Sequence, residues 1–495
     1  MAEKLDALRI EVKLSGDTDF TDISADVLHP IDGKEGMSGF GELDRVAEPG
    51  SMTFYLDNGR TNSAATSGYY SPGDSDVRSG WQVGIPVRLY TEWEGVGRYR
   101  FYGTIPPGGI QPTAGVFDER LVKVEVIDWI GLAAAHEVTL PTFAQDKTAD
   151  QVVALVAANM PIQPQETDYN TGNSTFPFVF DTVKQNTRAL SEIYKAVISE
   201  LGYCYIAHNA TSGEVLTVEA FTTRIGSTDV YVPKGRDNAG VLLLEDGVGK
   251  LLLEDGVGEL VLNDRQQVSF DNNMISMPAG QSGKSITNRV FATTYPRQVD
   301  SDPTTVLFSL QEPFKLTSGE TKTGFRGQYR DPNAGAQYVN GRNMRAPTSD
   351  DYLGNTSSDG TGTDISASLT VTPTYGTEAV EYSLTNNYSG DMWVTKLQAV
   401  GQGVYVYDPV LYVTEDTDSQ DIYGQRPLKF DLPYQSNPAL GRDYSLKVLG
   451  LHSSPRNDPE PPWFSANASD MNMAFFVVGN IGDRVAIIED ILGVN

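Results

Sequence analysis

The chain has 495 residues and carries 37 Lys and Arg against 65 Asp and Glu, a formal net charge of −28. Such a surface repels polyphosphate and anionic lipid, which argues against sequence-independent nucleic-acid binding and against docking on a membrane. Its single cysteine, Cys204, excludes a disulfide within the chain and a cysteine-based zinc site.

At roughly 100–200 residues per domain the length implies about three or four domains. The 48 glycines and 24 tyrosines favour strands joined by tight turns. No apolar h-region stands at Met1 to Leu14, where Leu8, Ile10, Val12 and Leu14 alternate with polar residues as in a strand. No apolar stretch reaches the ~20 residues needed to cross a bilayer. The expectation is a protein made in a cytoplasm, soluble and without stable membrane association.

Residues 1–135 read as a β-domain. Met52 to Leu56 ends at the turn Asp57-Asn58-Gly59, and Pro86 to Tyr90, Tyr99 to Ile105 and Leu121 to Ile127 are further strands. Short strands between Gly, Pro, Asn and Asp clusters predict a barrel or sandwich.

The period then changes. Thr148-Ala149-Asp150-Gln151 has the form of a capping box before Val152, Val153, Leu155 and Val156. Leu190, Ile193, Tyr194, Val197, Ile198 and Leu201 place one apolar face on a helix, with Gly202 where a left-handed residue would end it. Tyr203 to Ala207, holding a buried Cys204, predicts pairing with Val215 to Phe221. Residues 138–230 thus read as a small α+β domain inserted into a β-protein.

Leu243-Leu244-Glu245-Asp246-Gly247-Val248-Gly249 recurs nine residues later from Leu252, with a fainter copy at Val261. A meander or protruding hairpin is the preferred reading; a calcium-binding β-roll needs glycine pairs and Asp at other offsets. Beyond residue 285 strands return at Ser285 to Thr294, Val306 to Leu310, Leu369 to Pro373, Met392 to Val400 and Val404 to Val413. Pro347 to Thr363 reads as a long loop or linker. Met473 to Val478 and Arg484 to Ile488 read as strands.

Candidate chemistry is sparse. Gly283-Lys284-Ser285 looks like the end of a phosphate loop, but Pro278 stands where the first glycine belongs and a strand-like run follows. His29, His136, His208 and His452 lie too far apart for a helical zinc motif, and His136-Glu137 lacks its second histidine. No nucleophile elbow appears, and the spacing around Ser282 is wrong for one. Glu415, Asp416, Asp418 and Asp421 are oxygen-rich but lack the glycine and distant glutamate of an EF-hand loop, so they read as a solvated turn. Trp81, Trp93, Trp129, Trp393 and Trp463 read as core or interface residues before a sugar platform. No catalytic, cofactor-binding or metal residue is assigned, and no cofactor.

An ordered set of segments goes further. Gly50 through Arg60, Tyr70-Ser71-Pro72, Val83 through Leu89 and Phe101-Tyr102-Gly103-Thr104-Ile105 resemble the first barrel of bacteriophage tail hub, or minor tail, proteins. The helix Ala189 to Leu201 with its hairpin is similar to that family's inserted domain. Asn288-Arg289-Val290 with Pro296, Gly319-Glu320-Thr321 with Tyr329-Arg330-Asp331-Pro332, Tyr423-Gly424-Gln425-Arg426-Pro427 and Ile481-Gly482-Asp483-Arg484-Val485 keep the order to the end.

The resemblance implies a mainly β, multidomain chain with two hub-type β-barrels, an inserted small α+β domain and further β-rich segments. Its divisions would be 1–135, first barrel; 136–235, inserted domain; 236–270, repeat hairpin or meander; and 271–345, first part of the second barrel. A β-rich domain at 346–415 and a C-terminal β segment at 416–495, returning to the hub core, would follow. It further implies a non-enzymatic virion protein of the tail tip. Three copies would join a hexameric tail tube or distal tail protein to a three-fold central fibre or spike, beside a tape measure protein. Phage DNA would pass through the channel without specific binding. Two other readings stand beside it: a receptor- or glycan-binding β-rich protein, and a carboxylate-dependent glycosidase, which needs only two carboxylates about 5–10 Å apart.

Overall fold

The computed structural model describes residues 5–37, 43–114, 120–140, 144–180, 187–220, 231–233, 265–270, 274–277, 279–281, 286–333, 338–455, 457–459, 463–481, 483 and 485–487. The Leu-Leu-Glu-Asp-Gly repeat and Gly283-Lys284-Ser285 lie outside the described residues. The chain is mostly β.

Eight strands make the first sheet: β1 (Ala7–Val12), β2 (Thr21–Asp22), β3 (Val27–Lys34), β4 (Ser51–Asp57), β5 (Pro86–Trp93), β6 (Val96–Thr104), β7 (Ile110–Ala114) and β8 (Arg120–Ile127). Their order is β2-β1-β5-β6-β8-β4-β3, with β7 beside β8. Period-2 alternation sets the inner face: Met52, Phe54 and Leu56 of β4 and Val122, Val124 and Val126 of β8 are buried. β6 touches β8 only at Thr104 and Ile127. The sheet therefore divides into two halves that close on one core, which Ile10, Val12 and Val87 enter from the other side. The result is a half-barrel.

The loop after β4 explains the segment around Asp57 and Tyr70. Asp57 Oδ1 accepts from Gly59 N at 2.7 Å, and Asn58 Oδ1 accepts from Tyr70 N at 2.8 Å. The buried Tyr70 donates its hydroxyl to the buried Asp26 at 2.6 Å, and Asp26 also accepts from Ser63 N at 2.6 Å. Trp81 stands edge-on to Tyr70, with ring centroids 5.1 Å apart, and donates its indole N–H to the Tyr70 carbonyl. These residues plug the end of the half-barrel.

After β8 the chain builds the inserted unit from α1 (Trp129–Ala135), β9 (Glu137–Val138), β10 (Ala144–Lys147), α2 (Ala149–Ala158), β11 (Glu166–Tyr169), β12 (Phe176–Val179), β13 (Thr187–Arg188), α3 (Ala189–Glu200), β14 (Tyr203–Ala207) and β15 (Val215–Glu219). β14 pairs antiparallel with β15, and β11 runs parallel to β15 on its other side. The helices α2 and α3 share their apolar faces with that sheet through Val152, Val156, Ile193, Val197, Cys204 and Leu216. The left-handed residue that ends α3 is Leu201, at φ 52°, not Gly202. Burial of the Leu201 side chain offsets the ~1 kcal/mol cost of that backbone. Gly202 is needed for another reason: a Cβ there would lie 2.6 Å from the Glu219 carbonyl oxygen.

In the second half, Arg289–Thr294 runs between Val410–Glu415, antiparallel, and Pro427–Leu432, parallel. One face of this sheet is closed by α3 and the later helix Pro438–His452, through Ile198, Val290, Ala292, Leu432, Tyr444 and Val448. A separate core lies between the 15-residue strand Met392–Val406, with the strands around it, and the sheet Thr321–Gln328, Ala379–Asn386 and Leu369–Tyr375.

Several expectations change here. The break expected between Val400 and Val404 falls instead at Tyr407 to Pro409: one strand runs through Gly401 and Gly403 to Val406 and the next begins at Val410. A Cβ on Gly401 would stand 2.4 Å from Met344 Sδ, so these glycines serve close packing rather than a turn. The span Pro347 to Thr363 contains the strand Tyr352–Asn355. Met473 to Val478 is helical: Asp470–Val478 forms a helix whose N-cap Ser469 accepts from Asn472 N at 3.1 Å. A short apolar run has no period of its own to separate helix from strand, and the cap decides it. The acidic run is also helical: Thr417–Tyr423 is capped by Asp416, which accepts from Ser419 N at 3.0 Å. Among the described residues the segment after 416, expected to be a β segment, holds the strand Pro427–Leu432 and three α-helices. Among the described residues no second barrel closes.

Candidate functional site

The residues weighed from sequence do not converge. His136 follows α1 and His452 ends the helix Pro438–His452. The His29 side chain lies outside the described residues. Among the described residues no group of three or more His, Cys, Asp or Glu could hold a metal ion. Trp81, Trp93 and Trp129 are buried, Trp393 is half-buried and Trp463 is exposed, so the five tryptophans form no sugar platform. Burial pushes the Cys204 thiol up to about 12, which leaves it inert at neutral pH.

What the fold does gather is a buried polar junction. Three stretches distant in sequence meet there: the half-barrel, the β14–β15 hairpin and the segment after the helix Asp470–Val478. His208, buried at the end of β14, has Nδ1 2.8 Å from the Gly213 carbonyl oxygen and Nε2 2.9 Å from Glu35 Oε2. A carbonyl only accepts, so Nδ1 carries its proton.

Beside this pair, two buried carboxyls meet the start of α1. Asp128 accepts from Gly131 N at 2.8 Å, as an N-cap. Glu214, from the hairpin, accepts from Trp129 N at 3.2 Å and from Gln165 N at 3.1 Å. Burial pushes Asp128 up to about 7 and Glu214 up to about 8, with the backbone donors pulling each partly back. Each carboxyl is raised further by a neighbour: Glu35 acts on Asp128, and Asp128 acts on Glu214.

The C-terminal segment is pinned to the same place. His208 N donates to Asn480 Oδ1 at 2.8 Å, and Asn480 Nδ2 donates to the His208 carbonyl at 3.0 Å. Arg98 and Arg100 of β6 donate to the carbonyls of Val478 and Gly479. Burial lowers the Arg100 guanidinium, while Glu35 and Asp483 favour its charge.

A second polar lock joins α3 to the second half. The fully buried Glu192 accepts from Tyr434 OH at 2.7 Å, Thr187 Oγ1 at 2.9 Å and Lys195 Nζ at 2.7 Å. Ser199 Oγ accepts from Tyr434 N at 2.9 Å. The contacts of Tyr434 with Ser199 and Glu192 were not legible beforehand, because the partners stand 235 and 242 positions apart.

By contrast, one sheet face stays open. Val410–Glu415 is the edge strand beside Arg289–Thr294, with Leu411 55% and Val413 43% exposed. Phe291 lies across from Val413 and Lys429 on this face. Arg289 and Lys429 stand over its ring at 5.1 and 5.3 Å. An exposed apolar edge of this kind is a pairing surface unless something covers it.

No protein-family profile matches the chain, and no curated protein does. Among solved structures it is similar to the 43 kDa tail protein of prophage MuSo2 from Shewanella oneidensis, at 10% identity over 58% of this chain and 65% of that one, TM-score 0.31. It is similar also to a tail protein from Neisseria meningitidis, at 9% identity over 58% and 64%, TM-score 0.32. A third is an E. coli component of the type VI secretion system, described as structurally similar to T4 bacteriophage tail proteins gp27 and gp5. That match has 11% identity over 78% and 76%, TM-score 0.29. The chain spans just under two thirds of the length of the first two. Likenesses this distant carry no argument about activity or partners.

Proposed function

We propose that this protein is a structural, non-enzymatic component of a phage-type tail, serving as the hub at the tail tip. The reading is supported most by the segments Gly50 through Arg60, Tyr70-Ser71-Pro72, Val83 through Leu89 and Phe101 through Ile105. Their order resembles the hub family, and they build a single half-barrel and its plug.

Three copies form a ring between a hexameric tail tube, or distal tail protein, and a three-fold fibre or spike. A tape measure protein contacts the ring, and phage DNA crosses it. The net charge of −28 suits a channel that DNA passes without adhering. The carboxyls that structure gathers, Asp128 and Glu214, are buried and spent on backbone N–H groups, which suits a frame and not a glycosidase.

Light scattering after size exclusion tests the reading. A mass near three times 53.9 kDa is expected. A monomer at all concentrations, together with cell-wall hydrolysis in a zymogram, overturns it.

A further inference from the structure

A strand at the border of a sheet keeps half of its backbone N–H and C=O groups unpaired, and folded chains blunt such borders with prolines, bulges or lysines. Several borders of this chain are blunted in that way. Pro373 lies in the edge strand Leu369–Tyr375, Pro427 opens the edge strand Pro427–Leu432, and β3 is bulged between Leu28 and Asp32. Val410–Glu415 differs: it pairs with Arg289–Thr294 in unbroken register and holds neither proline nor lysine. Asp416 N donates to the Asn288 carbonyl at 3.0 Å, which fixes the alternation along the strand. The backbone groups of Leu411, Val413 and Glu415 therefore point away from the neighbouring strand. They find no backbone partner among the described residues.

The surroundings of this edge are acidic. Residues 397–425 contain Asp408, Glu415, Asp416, Asp418 and Asp421 and no Lys or Arg. Arg289, on the neighbouring strand, answers only Glu415, at 3.4 Å. Antiparallel pairing of two copies of Val410–Glu415 would set the acids at its two ends against each other, so the strand is a poor partner for itself.

The opposite charge stands on another open edge. Thr321–Gln328 borders the sheet that it forms with Ala379–Asn386 and Leu369–Tyr375. Residues 313–330 contain Lys315, Lys322, Arg326 and Arg330 against the one acid Glu320. Tyr329 N donates to the Glu378 carbonyl at 2.9 Å, so the backbone groups of Arg326 and Gln328 point outward from that sheet. Both residues are exposed. The bulge between Lys322 and Phe325 turns the first part of the strand aside and leaves residues 325–328 regular.

We propose that the acidic edge Val410–Glu415 of one copy of this chain takes the basic edge Thr321–Gln328 of the next copy as an added strand. The proposal rests on the reading of the chain as a ring-forming hub and names the contact that closes the ring. Like edges repel and unlike edges attract, so the contact is head-to-tail and uses each edge once. Backbone pairing supplies the attraction, and the added strand shields Leu411 and Val413 from water.

The solution mass of the full chain tests this contact. Asp408→Lys with Glu415→Lys makes the first edge basic, and Arg326→Glu with Gln328→Glu makes the second acidic. Each pair of substitutions alone is expected to raise the dissociation constant of the trimer by about tenfold or more, and all four together are expected to restore it. Restoration also shows that the substituted chains fold. A trimer that persists unchanged in both single-edge variants overturns the edge contact and leaves the ring reading standing. So does a four-substitution chain that stays dissociated while its circular dichroism matches that of the wild type. A wild-type chain that is monomeric at all concentrations overturns the ring reading, and the contact with it.

Discussion

The junction around His208 and the sheet around Arg289–Thr294 solve the same problem in opposite ways. Both sit where distant parts of the chain meet, and both use α3 or its hairpin as a wall. At the junction the polar groups described are satisfied within the chain: His208, Glu35, Asp128, Glu214 and Asn480 hold one another and nearby backbone. The sheet is closed on one face only, and its edge strand presents Leu411 and Val413 outward. A closed junction fixes how units of one chain are set; an open apolar edge is a place for another chain. The contrast is what an assembly component needs, because it must be rigid inside and adhesive at chosen borders.

The contrast can be broken at either end. The largest effect is expected in the half-barrel core, where Phe54→Ala should cost about 3–5 kcal/mol in urea unfolding. A cost near zero would mean that the two sheet halves do not share a core. Next comes the α3 lock. Glu192→Ala strands the Tyr434 hydroxyl and the Lys195 ammonium and should cost about 3 kcal/mol. Tyr434→Phe, which leaves Glu192 its other two donors, should cost about 1–2 kcal/mol.

The pH response is expected to be smaller and graded. The values of Asp128, Glu214 and Glu200 are raised by burial above those of the unfolded chain. The folded form therefore binds more protons than the unfolded one, and stability falls as pH climbs from about 4 towards 8. Thermal unfolding at pH 5.5 and pH 8 checks this; a Tm that rises with pH contradicts it. The smallest effect on the monomer belongs to the open face. Leu411→Lys with Val413→Lys should change unfolding free energy by no more than about 0.5 kcal/mol each. The same change should lower self-association, read as solution mass. If mass is unchanged, the chain assembles through another surface.

How much of this was legible follows from how local each signal is. Alternation in β4 and β8 and the apolar face of α3 need only neighbours within a few residues, and those elements stand where the sequence placed them. The helix Asp470–Val478 was read as a strand because six apolar residues in a row carry no period. The helix Pro438–His452 was missed outright, since Gly441 and Gly450 dilute its apolar face. The junction was invisible because it depends on which of many acidic residues fold inward. Asp128 and Glu214 look like any others until β8, α1 and the hairpin are brought together. The sequence showed Tyr70 and Asp57 as members of an ordered set; structure adds that they plug the half-barrel through Asp26 and Asn58.

Imaging the purified protein as single particles tests the central claim most directly. Class averages showing a closed three-fold ring are what this account predicts. Isolated monomers at concentrations where mass indicates no association, or open filaments without rotational symmetry, would contradict it.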